Sequence, residues 1–80
     1  MKEVCVLINT IDSVKDFVSA ANKYTGIDIF LRSGRYVIDA KSIMGIFSLD
    51  LTNILTVYSD NCTDESFSMF CNDIQKYILS

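Results

Sequence analysis

Ala40-Lys41-Ser42-Ile43-Met44-Gly45-Ile46-Phe47-Ser48-Leu49 sets a hydroxyl residue directly ahead of a short apolar run with a glycine inside it. Ser42 stands where a helix begins, because its side-chain oxygen can accept a hydrogen bond from a backbone N–H two or three residues on. On that helix Ile43, Ile46 and Phe47 share one face at i, i+3 and i+4, and Met44 lies beside it. Gly45 restricts the helix to one or two turns. So little helix cannot bury so much apolar side chain. Ile46 and Leu49 are therefore assigned inward, and Ile43, Met44 and Phe47 at least partly outward, where a partner surface would account for them.

Working upstream, Ile27, Ile29 and Leu31 alternate with Asp28, Phe30 and Arg32, and Ser33-Gly34 offers a tight reversal before Arg35-Tyr36-Val37-Ile38-Asp39. This predicts a hairpin. Ahead of it Val14, Phe17, Val18 and Ala21 fall at i, i+3, i+4 and i+7, with Lys15 and Lys23 on the other side. They form an amphipathic helix of about eleven residues, capped by Ser13 or Asp12, with Asp16 completing a capping box after Ser13. Thr25-Gly26 closes it. Val4, Val6 and Ile8, alternating with Cys5 and Leu7, predict a first strand over about residues 2–8.

Downstream, Asp50-Leu51-Thr52-Asn53 returns the chain to a fourth strand, Ile54–Tyr58, and Ser59-Asp60-Asn61 turns it again. Thr63 caps a last helix with Asp64 and Glu65 in its first turn, where negative charge meets the positive helix end. Phe67, Phe70, Cys71, Ile74, Tyr77 and Ile78 trace one stripe over about three and a half turns, a core face. The order is β-α-β-β-α-β-α. It implies an α+β domain of two layers spanning 1–80, with helices over one face of a mostly antiparallel sheet.

Half of the 80 residues are apolar, enough for a core without staples, and the net charge is −3 without charged blocks. That balance argues against nucleic acid or an anionic membrane as partner, since each calls for a basic patch. Cys5, Cys62 and Cys71 are odd in number and unpaired in spacing, and there is no histidine. They are assigned as reduced, buried thiols, with neither a metal site nor a cofactor site. No leader and no membrane span are read, and the chain is expected to be soluble and cytoplasmic.

The segment Lys41–Leu49, preceded by the Ser33-Gly34-Arg35 turn, resembles the regulatory-serine motif of the HPr family, the small phosphocarriers of the bacterial sugar phosphotransferase system, including catabolite-repression HPr. The resemblance runs the length of the chain. It implies an open-faced sandwich with strand order 1-4-2-3 and three helices on one side. It also implies Ser42 as the target of a dedicated kinase, and Lys41, Ile43, Met44 and Phe47 as the surface that docks phosphotransferase-system enzymes, an HPr kinase or a transcriptional regulator.

The family's second motif, a histidine followed by arginine and proline at the start of the first helix, is missing. Asn9-Thr10-Ile11-Asp12-Ser13 stands in its place, and the chain has neither histidine nor proline. Phosphoryl transfer in that family needs an imidazole nitrogen and a guanidinium to hold the phosphoryl oxygens. Arg32 and Arg35 sit by the hairpin turn and are expected to be solvated. Thr10, Asp12 and Ser13 are what remains of a carrier loop, Asp12 being able in principle to form an acyl phosphate.

Three functions follow from these residues. The first is a non-catalytic interaction protein, monomer or weak dimer, that keeps the docking face and is switched at Ser42. The second is a phosphocarrier using a non-histidine acceptor. The third is an unrelated α+β ligand-sensing domain.

Overall fold

The computed structural model of the chain describes residues 2–79. β1 (Lys2–Val6) is followed by α1 (Ile11–Asn22), the hairpin β2 (Phe30–Ser33) and β3 (Tyr36–Asp39), α2 (Ile43–Phe47), β4 (Leu55–Ser59) and α3 (Asp64–Asp73), with a 3-10 turn over Gln75–Tyr77. The strands make one sheet in the order β1-β4-β2-β3, every neighbouring pair antiparallel. This is the expected α+β architecture.

Strand alternation decides which face is buried. Leu31 pairs with Val57 on one side and Ile38 on the other, and Val57 with Val4. These residues, with Val6 and Leu55, belong to the core that Val14, Phe17, Ala20 and Ala21 of α1, Ile46 of α2 and Phe70 and Ile74 at the end of α3 complete. At its centre the Phe17 and Phe70 rings meet edge to face with centroids 5.8 Å apart, an arrangement aromatic quadrupoles favour. Phe30, Arg32, Thr56 and Tyr58 occupy the opposite, helix-free face. Arg32 is not simply solvated as expected. Its guanidinium lies 5.5 Å from the Tyr58 ring centroid and 3.6 Å from a Glu3 carboxylate oxygen, held by a cation–π contact and a partly exposed ion pair.

The hairpin turns on Gly34, whose φ is +58° while no other residue of the turn has positive φ. Positive φ at the first central position is the pattern of a II′ turn, which suits the twist of two short strands.

Several boundaries differ from the sequence expectation. α1 is capped by Thr10, not by Ser13 or Asp12, and the capping box is Thr10 with Ser13, not Ser13 with Asp16. Ile11, apolar but 63% exposed, is the first helical residue and hid the true start. α1 ends at Asn22 with Lys23 as its cap, so Gly26, at φ +86°, shapes the following loop instead of closing the helix. β1 ends at Val6 instead of residue 8, and the fourth strand is Leu55–Ser59 instead of Ile54–Tyr58. The paired strands of the hairpin are Phe30–Ser33 and Tyr36–Asp39, shorter than the alternation suggested.

The largest departure is at the end of α3. The apolar stripe reaches Ile78, but the helix stops at Asp73 and Ile74 leaves helical geometry at φ −109°, ψ 18°. Beyond the 3-10 turn Ile78 bridges Val6, the Leu7 N–H donates to the Tyr77 carbonyl at 3.0 Å, and the Leu79 N–H donates to the Cys5 carbonyl at 2.8 Å. Pairing with the outer edge of β1 satisfies backbone groups that a longer helix would leave bare.

Candidate functional site

α2 is five residues long, and its start is fixed from both sides of Lys41. The Lys41 N–H donates to Asp39 Oδ1 at 2.8 Å and the Ser42 N–H to the Asp39 carbonyl at 3.0 Å. The Lys41 ammonium donates to the carbonyls of Tyr24 and Ile27, both at 2.8 Å. Lys41, assigned to docking from the sequence, is thus half-buried and tethers α2 to the loop after α1. No sequence signal announces this, because its acceptors are main-chain carbonyls.

Ser42 is the N-cap, and its hydroxyl accepts from the Gly45 N–H at 3.2 Å while remaining exposed. A Cβ at Gly45 would stand 3.1 Å from Ser42 Oγ, so glycine leaves the hydroxyl uncrowded. Ser48 closes the helix, its hydroxyl donating to the Gly45 carbonyl at 2.5 Å.

The apolar residues divide. Ile46 is fully buried, Ile43 and Leu49 are half-buried against the core, and Met44 and Phe47 are 78% and 40% exposed. Met44 and Phe47 therefore present a flexible thioether and a ring edge to solvent beside the Ser42 hydroxyl. Such a patch can make apolar contact with a protein surface but holds no group for bond-making chemistry.

The loop from Asn9 to Ser13 is committed to capping. The Ser13 N–H donates to Thr10 Oγ1 at 3.1 Å, the Thr10 N–H to Ser13 Oγ at 3.0 Å, and Ser13 Oγ–H to the Thr10 carbonyl at 2.8 Å. Ser13 is buried and both hydroxyls are engaged. Asp12 is exposed in the first turn. Arg32 and Arg35 belong to the β2–β3 hairpin, so no guanidinium is supplied from within this loop. Cys5, Cys62 and Cys71 are all half-buried free thiols, and burial raises the Cys71 pKa, making it a poorer nucleophile. Among the described residues no group of three or more His, Cys, Asp or Glu is placed to hold a metal ion, and no helix is long and apolar enough to cross a membrane.

No family model matches the sequence, and no curated protein matches it. Solved structures do. The chain superposes on HPr-C-His from Thermoanaerobacter tengcongensis with a TM-score of 0.75 and 26% identity, over 95% of this chain and 93% of that one. The fold is HPr-like. The phosphocarrier HPr of Bacillus anthracis str. Ames matches at TM-score 0.66 and 26% identity, covering 90% of this chain and 92% of its own. Crh of Bacillus subtilis, a catabolite repression protein described as an intertwined, domain-swapped dimer, matches at TM-score 0.65 and 26% identity over 94% and 88%.

Proposed function

We propose that this HPr-like chain is a non-catalytic interaction module of the bacterial cytoplasm, offering the outer side of α2 to protein partners and using Ser42 as a phosphorylation switch. The observation that carries it is the split within α2, where Ile46 is 0% exposed and Met44, two residues away, is 78% exposed. Chemistry supports the same side, since the chain has no histidine and the two hydroxyls of the carrier loop are occupied by capping. Likeness to a catabolite repression protein is compatible with a regulatory role, and likeness to phosphocarriers is equally strong, so the missing histidine is what separates the two. The partners that fit are phosphotransferase-system enzymes, an HPr kinase or a transcriptional regulator that binds HPr. A phosphoryl group on Ser42 would add roughly −1.5 to −2 charges beside Met44, opposing apolar docking and favouring a partner that offers arginine.

The test has two arms. Incubation with HPr kinase and ATP should add one phosphoryl group by intact mass, absent in Ser42→Ala. Incubation with phosphoenolpyruvate and the first enzyme of the phosphotransferase system should add none, and stable labelling there would overturn the non-catalytic assignment. Amide shifts on titration with that enzyme should cluster on α2, and shifts confined elsewhere would count against the docking face.

A further inference from the structure

The two edges of the sheet are treated differently. β1 has its outer side covered by Tyr77–Leu79, whereas β3, at the other end of the strand order, is covered by no strand among the described residues. Which backbone groups β3 exposes follows from one bond. The Ala40 N–H donates to the Ile29 carbonyl at 2.8 Å, so Ala40 points its backbone at β2. Alternation then turns Ile38 and Tyr36 toward β2 as well, and Val37 and the N–H of Asp39 away from it. The edge is short and ends on the charged Asp39, but Tyr36-Val37-Ile38-Asp39 holds no lysine, proline or bulge to block pairing. Tyr36 is 71% and Val37 48% exposed. Beside them a groove of about 440 Å³, lined by Tyr36, Ile38, Leu49 and Asp50 among others, runs between β3 and the segment after α2.

We infer that the β3 edge is an interface for a second copy of this chain, two β3 strands pairing antiparallel about a two-fold axis at Val37. Free N–H and C=O groups meet with either Val37 or Ile38 at the centre, since both registers set odd-numbered residues against each other, and the side chains select Val37, because an Ile38 centre would set Asp39 against Val37. With Val37 facing Val37, Tyr36 of each copy faces Ile38 of the other, so the exposed ring lies along the groove. The exposed Arg35 of each copy comes beside the exposed Asp39 of the other, on both sides of the axis. Among the described residues Arg35 makes no ion pair, and Asp39 keeps one carboxylate oxygen beyond the bond its Oδ1 accepts from Lys41. Every cross-strand pair in this register is therefore apolar or oppositely charged, the combinations that stabilise antiparallel strands. An antiparallel pairing of this kind turns two four-stranded sheets into one of eight, with the isologous symmetry expected of a homodimer. One short strand on each side buries little surface, so the association is weak and concentration-dependent. The docking proposal does not depend on this pairing, and the failure of the pairing leaves it intact.

Sedimentation equilibrium over a range of protein concentrations tests it. The wild-type chain should shift reversibly from monomer to dimer as concentration rises. Arg35→Asp alone and Asp39→Arg alone place like charges across the axis and should each weaken self-association about tenfold or more. Mixing these two folded variants should restore dimers as a heterodimer, since each introduced charge then meets its opposite. The double variant Arg35→Asp/Asp39→Arg should self-associate like the wild type, which also guards against a misfolded single variant. A chain that stays monomeric at all concentrations, or dimers indifferent to all these substitutions, would overturn the assignment.

Discussion

The Lys41 ammonium lies 2.8 Å from the carbonyl oxygen of Tyr24, seventeen residues earlier in the chain, and equally close to that of Ile27. One side chain thereby ties the end of α1 to the start of α2. Replacing it with methionine keeps the apolar stem and removes both charge-assisted bonds. Lys41→Met should lower the unfolding free energy by about 1–2 kcal/mol, less than a fully buried bond pair because the site is partly solvated. Chemical denaturation measures this, and amide exchange should rise first at Ile43–Phe47.

Acid should loosen the contact between α1 and the C-terminal turn. Asp16 Oδ2 accepts from the Tyr77 hydroxyl at 2.6 Å and lies 3.5 Å from Lys76 Nζ. The Tyr77 hydrogen bond, with help from Lys76, holds the Asp16 carboxyl below the usual carboxylate value. A depressed folded pKa stabilises above the unfolded value and ceases to do so as pH falls through the folded one. Asp50 and Asp64 are shifted the same way, by Thr52 and by Lys2. Stability should therefore be flat near neutral pH and fall below about pH 4. Tyr77→Phe should make that fall shallower, as read by denaturation midpoints against pH.

At the alkaline end the sign reverses. Partial burial and the Asp73 carboxylate push the Tyr24 phenol up to about 12. A raised folded pKa contributes stability below the unfolded value near 10, lost as pH climbs through the folded one. Ultraviolet titration should show Tyr24 ionising late, and Tyr24→Phe should diminish that late phase, the remainder belonging to Tyr77, which its bond to Asp16 also raises.

Thr10 and Ser13 act as a unit. Thr10→Ala and Ser13→Ala should each cost about 1 kcal/mol, and the double variant less than their sum, because either change breaks the reciprocal pair. Equal additivity in a double-mutant cycle would contradict the capping box.

Gly45 offers a test of the Ser42 cap. Alanine there gains about 1 kcal/mol of helix propensity but places its Cβ 3.1 Å from Ser42 Oγ. Gly45→Ala should therefore stabilise more in a Ser42→Ala background than in the wild type. Thermal unfolding of the four proteins in that cycle decides.

Much of this was legible in the chain. Alternation at Ile27–Leu31 and a glycine at 34 were enough for the hairpin, and Phe17, Phe70 and Ile74 declared themselves core by spacing. That part of α2 must face outward followed from its shortness, whereas spacing set Phe47 on the face of Ile46 and left its 40% exposure to be decided by the tertiary packing. What escaped depended on distant partners. Tyr77 and Ile78 continue a helical period, and the helix nonetheless breaks at Ile74 because Ile78 is required at the edge of β1. Lys41 looked like surface charge because main-chain carbonyls leave no mark in a sequence. Arg32 looked solvated because Tyr58 and Glu3, the residues that engage it, come from other strands.

The pairing of Tyr77–Leu79 with β1 has a consequence for the order in which the sheet can close. Lys2–Val6 precedes both of its partners along the chain, and one side awaits Leu55–Ser59 while the other awaits Tyr77–Leu79. Until both have been made, β1 is an apolar segment with no partner on either side. Such long sequence separations slow folding, and the unpaired first strand is the part of the sheet most in need of shielding from its neighbours in the meantime.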